Sequence, residues 1–144
     1  MLSLKEIIHA DIDPSKLNPE KLKQCEDLTR RMNIIRMKWG KAMTSTSGVR
    51  TMQDHLRIYK EKGIVDPAKI PMKSKHLETV TDCAAVDIAD PGLLLTNWLK
   101  NTPEGRAAAD EADLFFEDGN SNWVHAQNKP FGSYKKGGTR WFKP

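Results

Sequence analysis

Leu114-Phe115-Phe116-Glu117-Asp118-Gly119-Asn120-Ser121-Asn122-Trp123-Val124-His125-Ala126-Gln127 is the stretch that decides the fold. Two short runs with aromatic and β-branched residues flank Asp118-Gly119-Asn120-Ser121, a turn composition, so the stretch predicts a β-hairpin. Strand alternation puts Trp123, His125 and Gln127 on one face of its second strand. Upstream, residues 84–89 predict another strand, with Ala84, Val86 and Ile88 on a core face. Ala85, Asp87 and Ala89 share the opposite face, where a carboxylate between two small side chains leaves room for a ligand or metal.

Around these strands the helical signals are well punctuated. Residues 19–39 predict the longest helix, with Asn18 as cap and Pro19 in the first turn. Leu22, Cys25, Leu28, Met32 and Ile35 form its core stripe, and Gly40 stops it. Residues 41–49 read as a short strand running into a turn, and Thr51 caps a helix through Leu56, Ile58 and Tyr59 to Gly63. Asp90-Pro91-Gly92 opens a helix near 93–100, and Pro103 starts another through the alanines at 107–109. The expected class is α+β: one domain with a small, mostly antiparallel sheet and flanking helices. It divides into a helical part at about 1–40, a core at about 41–127 and a basic aromatic tail at 128–144.

With 144 residues the chain is long enough to build a core without staples, and 38% hydrophobic against 29% charged residues describes a globular protein. Cys25 and Cys83 are too few for a disulfide scaffold and read as buried fillers, as do the methionines at 32, 37, 43, 52 and 72. No apolar run is long enough to span a membrane, and Asp11 and Asp13 interrupt the N-terminus too early for a secretory signal. Synthesis in a cytoplasm is the expectation. The net charge of +4 belongs to the tail: Lys129, Lys135, Lys136, Arg140 and Lys143 face no acid there, while the other 128 residues hold 18 bases against 19 acids. The body is not a basic domain, so nucleic acid is not the expected partner. Phe131, Tyr134, Trp141 and Phe142 are expected to pack down while the tail lysines stay solvated.

Three segments carry candidate chemistry. Ser74-Lys75-His76 lies in a loop after Pro71 and predicts an exposed His; Asp87 and His125 sit on strand faces. Two His and one carboxylate make a plausible zinc site whose fourth position stays open for water. Ser47 and Ser74 read as turn residues, His55 as a surface or capping residue of the helix after Arg50, and His9 belongs to no motif.

Ser47-Gly48-Val49-Arg50, Ser74-x-His76-Leu77, Ala85-x-Asp87-Ile88 and Trp123-x-His125, in this order, resemble the zinc D-alanyl-D-alanine carboxypeptidase family. That family includes the phage L-alanyl-D-glutamate endolysins and, more distantly, the Hedgehog domain. The resemblance covers roughly residues 41–127. It implies a Hedgehog-like fold, zinc held by His76, Asp87 and His125, and Arg50 supporting substrate and transition state. It also implies hydrolysis of bacterial cell-wall stem peptides by a phage-type monomer that reaches the wall after release from the cytoplasm. Carboxypeptidase and endopeptidase activity both stay open.

The chain departs from the family pattern at two places. The family sets its Asp closer to the first His than the eleven positions separating His76 from Asp87, which fits an insertion at 78–81. Asp82 is a rival ligand without the strand context of Asp87. Asn122 stands where many members carry the catalytic Glu, and an amide cannot act as a general base. Glu117, across the hairpin, is the expected base, with Asp118 the alternative. The competing reading is a non-catalytic zinc-containing domain of the same fold that binds cell wall or serves in a virion.

Overall fold

The computed structural model describes residues 1–8 and 12–144; His9 lies outside them. The hairpin stretch forms β3 (Phe115–Glu117) and β4 (Trp123–Gln127), and the upstream strand is β2 (Ala85–Ala89). β2 pairs antiparallel with β4, and this register sets Asp87 directly opposite His125. β1 (Ser45–Ser47) lies antiparallel on the outer edge of β2, and β5 (Trp141–Phe142) runs parallel to β3. The sheet order is β1-β2-β4-β3-β5. β5 comes from the tail and has no sequence signal of its own: it is two residues long and pairs across the chain.

Five α-helices are described: α1 (Leu4–Ile8), α2 (Pro19–Trp39), α3 (Met52–Glu61), α4 (Leu94–Asn101) and α5 (Pro103–Ala112). The Asn18 side chain accepts from the Glu20 amide at the start of α2, and Gly40 closes it at φ 73°, a left-handed conformation that glycine adopts without a Cβ penalty. The buried stripe of α2 is Lys21, Cys25, Leu28, Met32 and Ile35, so a lysine occupies the place expected for Leu22, which is only half-buried. This stripe joins Val86, Ile88, Phe116, Val124 and Ala126 from the sheet, together with Ala108, Ala109 and Ala112 of α5, in one core. Asp90 links β2 to α4, its two carboxylate oxygens accepting from the Leu95 and Thr96 amides at 2.8 Å.

Strand alternation turns the other face of the sheet away from that core. Glu117, Asp87, His125 and Gln127 line a cavity there. The tail walls this cavity with Phe131 and Phe142, whose rings lie 5.5 Å apart, while Trp141 stacks on Phe116 at the core side and Tyr134 packs edge-on against Phe115. Its aromatics pack down as expected, and Arg140 pairs with Asp110 and Asp113. Other expectations need correction. α3 buries His55 and leaves Leu56 42% exposed, because the Pro71 connector lands on the polar side of the helix. Met37 and Met72 are exposed rather than core fillers, whereas Cys25 and Cys83 are buried free thiols. No helix among the described residues is long and apolar enough to cross a membrane.

Candidate metal centre

His76, Asp87 and His125 come together, each offering one ligand atom, with these atoms all within 4.8 Å of one another. Asp87 Oδ1 lies 3.0 Å from His125 Nδ1 and 3.4 Å from His76 Nε2. β2 and β4 present Asp87 and His125 as a cross-strand pair. His76 arrives on the 74–78 segment, which lies along residue 50: the Arg50 amide donates to the His76 carbonyl at 2.7 Å, and the Glu78 amide to the Arg50 carbonyl at 2.9 Å. His76 is 4% exposed, contrary to its expected solvent position in a loop. Ser74 has the expected turn role, accepting from the His76 amide.

The outer hydrogen bonds decide which nitrogens face inward. His76 Nδ1 lies 2.9 Å from the Gly48 carbonyl, which can only accept, so Nδ1 carries the proton and Nε2 presents its lone pair to Asp87. Gln127 Nε2 donates to the Lys129 carbonyl at 2.7 Å, which turns its amide oxygen toward His125 Nε2 at 3.0 Å. His125 Nε2 therefore carries the proton and Nδ1 faces Asp87. Two nitrogen lone pairs and a carboxylate oxygen converge on one point, an arrangement that only a shared proton or a cation relieves.

The pKa shifts report the same convergence. Burial works to raise the Asp87 carboxyl, but hydrogen bonds to His125 and His76 outweigh it and hold Asp87 well below the usual carboxylate range. Burial lowers His76, and Asp87 does not restore it. For His125 burial also acts downward, but Asp87, Gln127 and the charge of Glu117 raise it overall. The three residues could hold a metal ion. At Zn–N and Zn–O distances of ~2.0–2.1 Å a tetrahedral site has ligand-to-ligand edges of about 3.3 Å, beside the 3.0 and 3.4 Å found here. Imidazole–imidazole–carboxylate is a catalytic zinc donor set, and each imidazole has the outer hydrogen bond that orients such ligands.

The cavity above the three residues holds about 870 Å³ and is lined by both Glu117 and Arg50. Continuing the β3–β4 register puts Glu117 opposite His125, and its carboxylate makes no hydrogen bond among the described residues. Asp118 turns out of the cavity to pair with Lys100 at 2.7 Å. The rival ligand Asp82 is exposed and pairs with Lys129. Asn122, on the turn before β4, does not line the cavity.

Arg50 donates from Nη1 to His55 Nδ1 at 3.3 Å, while its buried Nε has no partner. His55 Nε2 donates to the Pro71 carbonyl at 2.6 Å, and the ring is fully buried, so this His orients Arg50 rather than capping its helix. Sequence reasoning missed this role because the acceptor carbonyl comes from a connector with no pattern of its own. Lys62, Lys73 and Lys75 make the cavity rim basic, and none has an ion-pair partner among the described residues. The chain matches no protein-family model, no curated protein and no solved structure.

Proposed function

We propose that the chain is a zinc-dependent peptidase that hydrolyses peptide bonds of bacterial cell-wall stem peptides, with Glu117 as general base. One observation carries the reading: three ligand lone pairs converge on the floor of an open cavity. The same cavity holds the carboxylate of Glu117 and the guanidinium of Arg50. A structural zinc site is closed by a fourth protein ligand, whereas a three-residue set leaves a position for water. Zinc, when bound, supplies a Lewis acid and lowers the pKa of its water to ~7.

The chain's own residues do the rest. Glu117 accepts a proton from water on the cavity side of β3 and returns it to the departing amine nitrogen. Arg50, oriented by His55, lines the cavity and presents the fixed charge of its guanidinium to a substrate carboxylate or to the developing oxyanion. The basic rim formed by Lys62, Lys73 and Lys75 favours an acidic peptide. Stem peptides carry free carboxylates, and the four motifs point to the same substrate. The Asn122 departure does not oppose the reading, because position 122 is off the cavity and Glu117 is on it.

The test is metal content and cell-wall hydrolysis on one preparation, with His125→Ala and Glu117→Gln alongside. One zinc per chain, muropeptide products from wild type and a zinc-loaded, inactive Glu117→Gln are the expected results. Zinc without products would replace the peptidase by the non-catalytic cell-wall-binding reading. A wild type that takes up no zinc sinks the site.

A further inference from the structure

Lys21 is 0% exposed, and its Nζ donates to three backbone carbonyls: Lys75 at 2.9 Å, Val80 at 2.8 Å and Cys83 at 2.7 Å. Three acceptors need three N–H groups, which an ammonium has and a neutral amine lacks. No carboxylate hydrogen-bonds to it among the described residues, so three carbonyl dipoles take the place of a counter-ion.

The three carbonyls bracket the segment that joins two of the candidate ligands. The Lys75 carbonyl belongs to the peptide unit that supplies the His76 amide, and Cys83 lies two residues before β2, which carries Asp87. Between them are residues 78–81, the stretch that lengthens the His76–Asp87 spacing. A loop with inward-turned carbonyls needs buried donors. Lys21 supplies them from α2, whose Cys25, Leu28, Met32 and Ile35 are packed into the core. The donor is therefore tied to a rigid element and not to the loop itself.

We propose that Lys21 is a positioning residue of the metal centre: anchored on α2, its ammonium holds the 75–83 loop and so sets His76 against Asp87. The proposal rests on the metal reading above, and goes beyond it by assigning the geometry of the centre to a residue that touches none of the three candidate ligands. Lys21→Met keeps the length of the side chain and removes its donors. Metal-free Lys21→Met is expected to fold, with amide exchange across 75–83 faster by on the order of tenfold or more and exchange in β4 unchanged. Its zinc Kd is expected to weaken by about 10–100-fold, the usual effect of losing an outer orienting group. In Lys21→Ala, added ethylammonium is expected to restore the loop protection, because it returns the cation without the tether.

A lower Tm with wild-type loop exchange and wild-type zinc Kd would mean that Lys21 only fills space, and overturns the proposal. If neither variant folds, the wild type decides. Lysine-side-chain NMR near neutral pH must then show one slowly exchanging ammonium coupled to the 75–83 loop, and its absence overturns the proposal. A wild type that takes up no zinc overturns the metal reading and with it this role in a metal centre, whereas zinc uptake with wild-type loop exchange and Kd in Lys21→Met overturns the Lys21 proposal alone.

Discussion

Gln127 lies two residues beyond His125 on the same strand face and meets its Nε2 with an amide oxygen at 3.0 Å. The Lys129 carbonyl accepts from the other end of that amide and prevents it from flipping. A side chain outside the three candidate ligands thus sets the tautomer of one of them. Gln127→Leu keeps the apolar volume and loses the lock, so zinc affinity is expected to fall by about 10–100-fold. Gln127→Glu offers a stronger acceptor to the same N–H and is expected to retain most of the affinity. A chelator competition titration on both variants measures this, and equal losses would rule out the tautomer argument.

Protons compete with the metal at His125, whose pKa is raised above its ordinary value by Asp87 against the downward pull of burial. In the metal-free protein Asp87 is depressed and His125 raised, so their ion pair stabilises fully between about pH 4 and 6.5, the unfolded values of the two groups. The His125 share is lost as pH rises through its raised pKa, and the Asp87 share as pH falls through its lowered one. His76, lowered by burial, opposes this pair: its contribution is complete above ~6.5 and lost as pH falls toward its folded value. Zinc needs His125 neutral, so the zinc Kd is expected to weaken on acidification already above pH ~6.5. Titrations at several pH values, with His125 followed by NMR in the metal-free protein, check this. A Kd that stays flat until well below ~6.5 contradicts the shift.

The two candidate bases are separated by direction. Glu117 lines the cavity without a partner, whereas Asp118 pairs with Lys100. Glu117→Gln is expected to keep zinc and lose turnover by ~10²–10⁴-fold, the range for a general base. Asp118→Asn removes a partly exposed ion pair worth at most ~1 kcal/mol and is expected to leave kcat near wild type. The opposite ranking in kcat would move the base to Asp118.

The strands, with Asp87 and His125 on their faces, are legible because their signals are local, whereas His76 reads as an exposed loop residue and joins them only through the order of the motifs. Period-two alternation reaches from His125 to Gln127, Asp118-Gly119 marks the turn, and Asp87 sits between alanines. What escaped depends on chain segments meeting at long range. His55 sits on a polar helix, and only the arrival of Pro71 buries it and turns it toward Arg50. Lys21 falls four residues before Cys25 on the core stripe of α2, a spacing visible in the sequence. A lysine there reads as solvated until the 75–83 carbonyls close over it. β5 is two residues paired in parallel with a strand more than twenty residues away, which no local pattern encodes.

Gly48 ties the centre to the N-terminal helix. A Cβ built on Gly48 would lie 1.9 Å from the Ile7 carbonyl oxygen and 2.8 Å from its carbon, both of them backbone atoms that cannot swing aside. The close approach is held by the Val49 amide donating to the same Ile7 oxygen at 3.1 Å, with Ile7 and Ile8 fully buried beneath. The Gly48 carbonyl in turn accepts from His76 Nδ1. Gly48→Ala must therefore push α1 and the 47–49 segment apart, at a cost of about 1–3 kcal/mol for overpacking. It also moves the acceptor that orients His76, so zinc affinity is expected to drop together with Tm. Gly40→Ala is the control. It forces an L-residue to φ 73° with nothing within 4 Å, so backbone strain of ~1–2 kcal/mol is expected to lower Tm while the zinc Kd stays at wild type. Thermal melts and zinc titrations on the two variants separate a strained turn from a displaced ligand support. If both lower Tm and neither changes the Kd, the Gly48 carbonyl does not position His76.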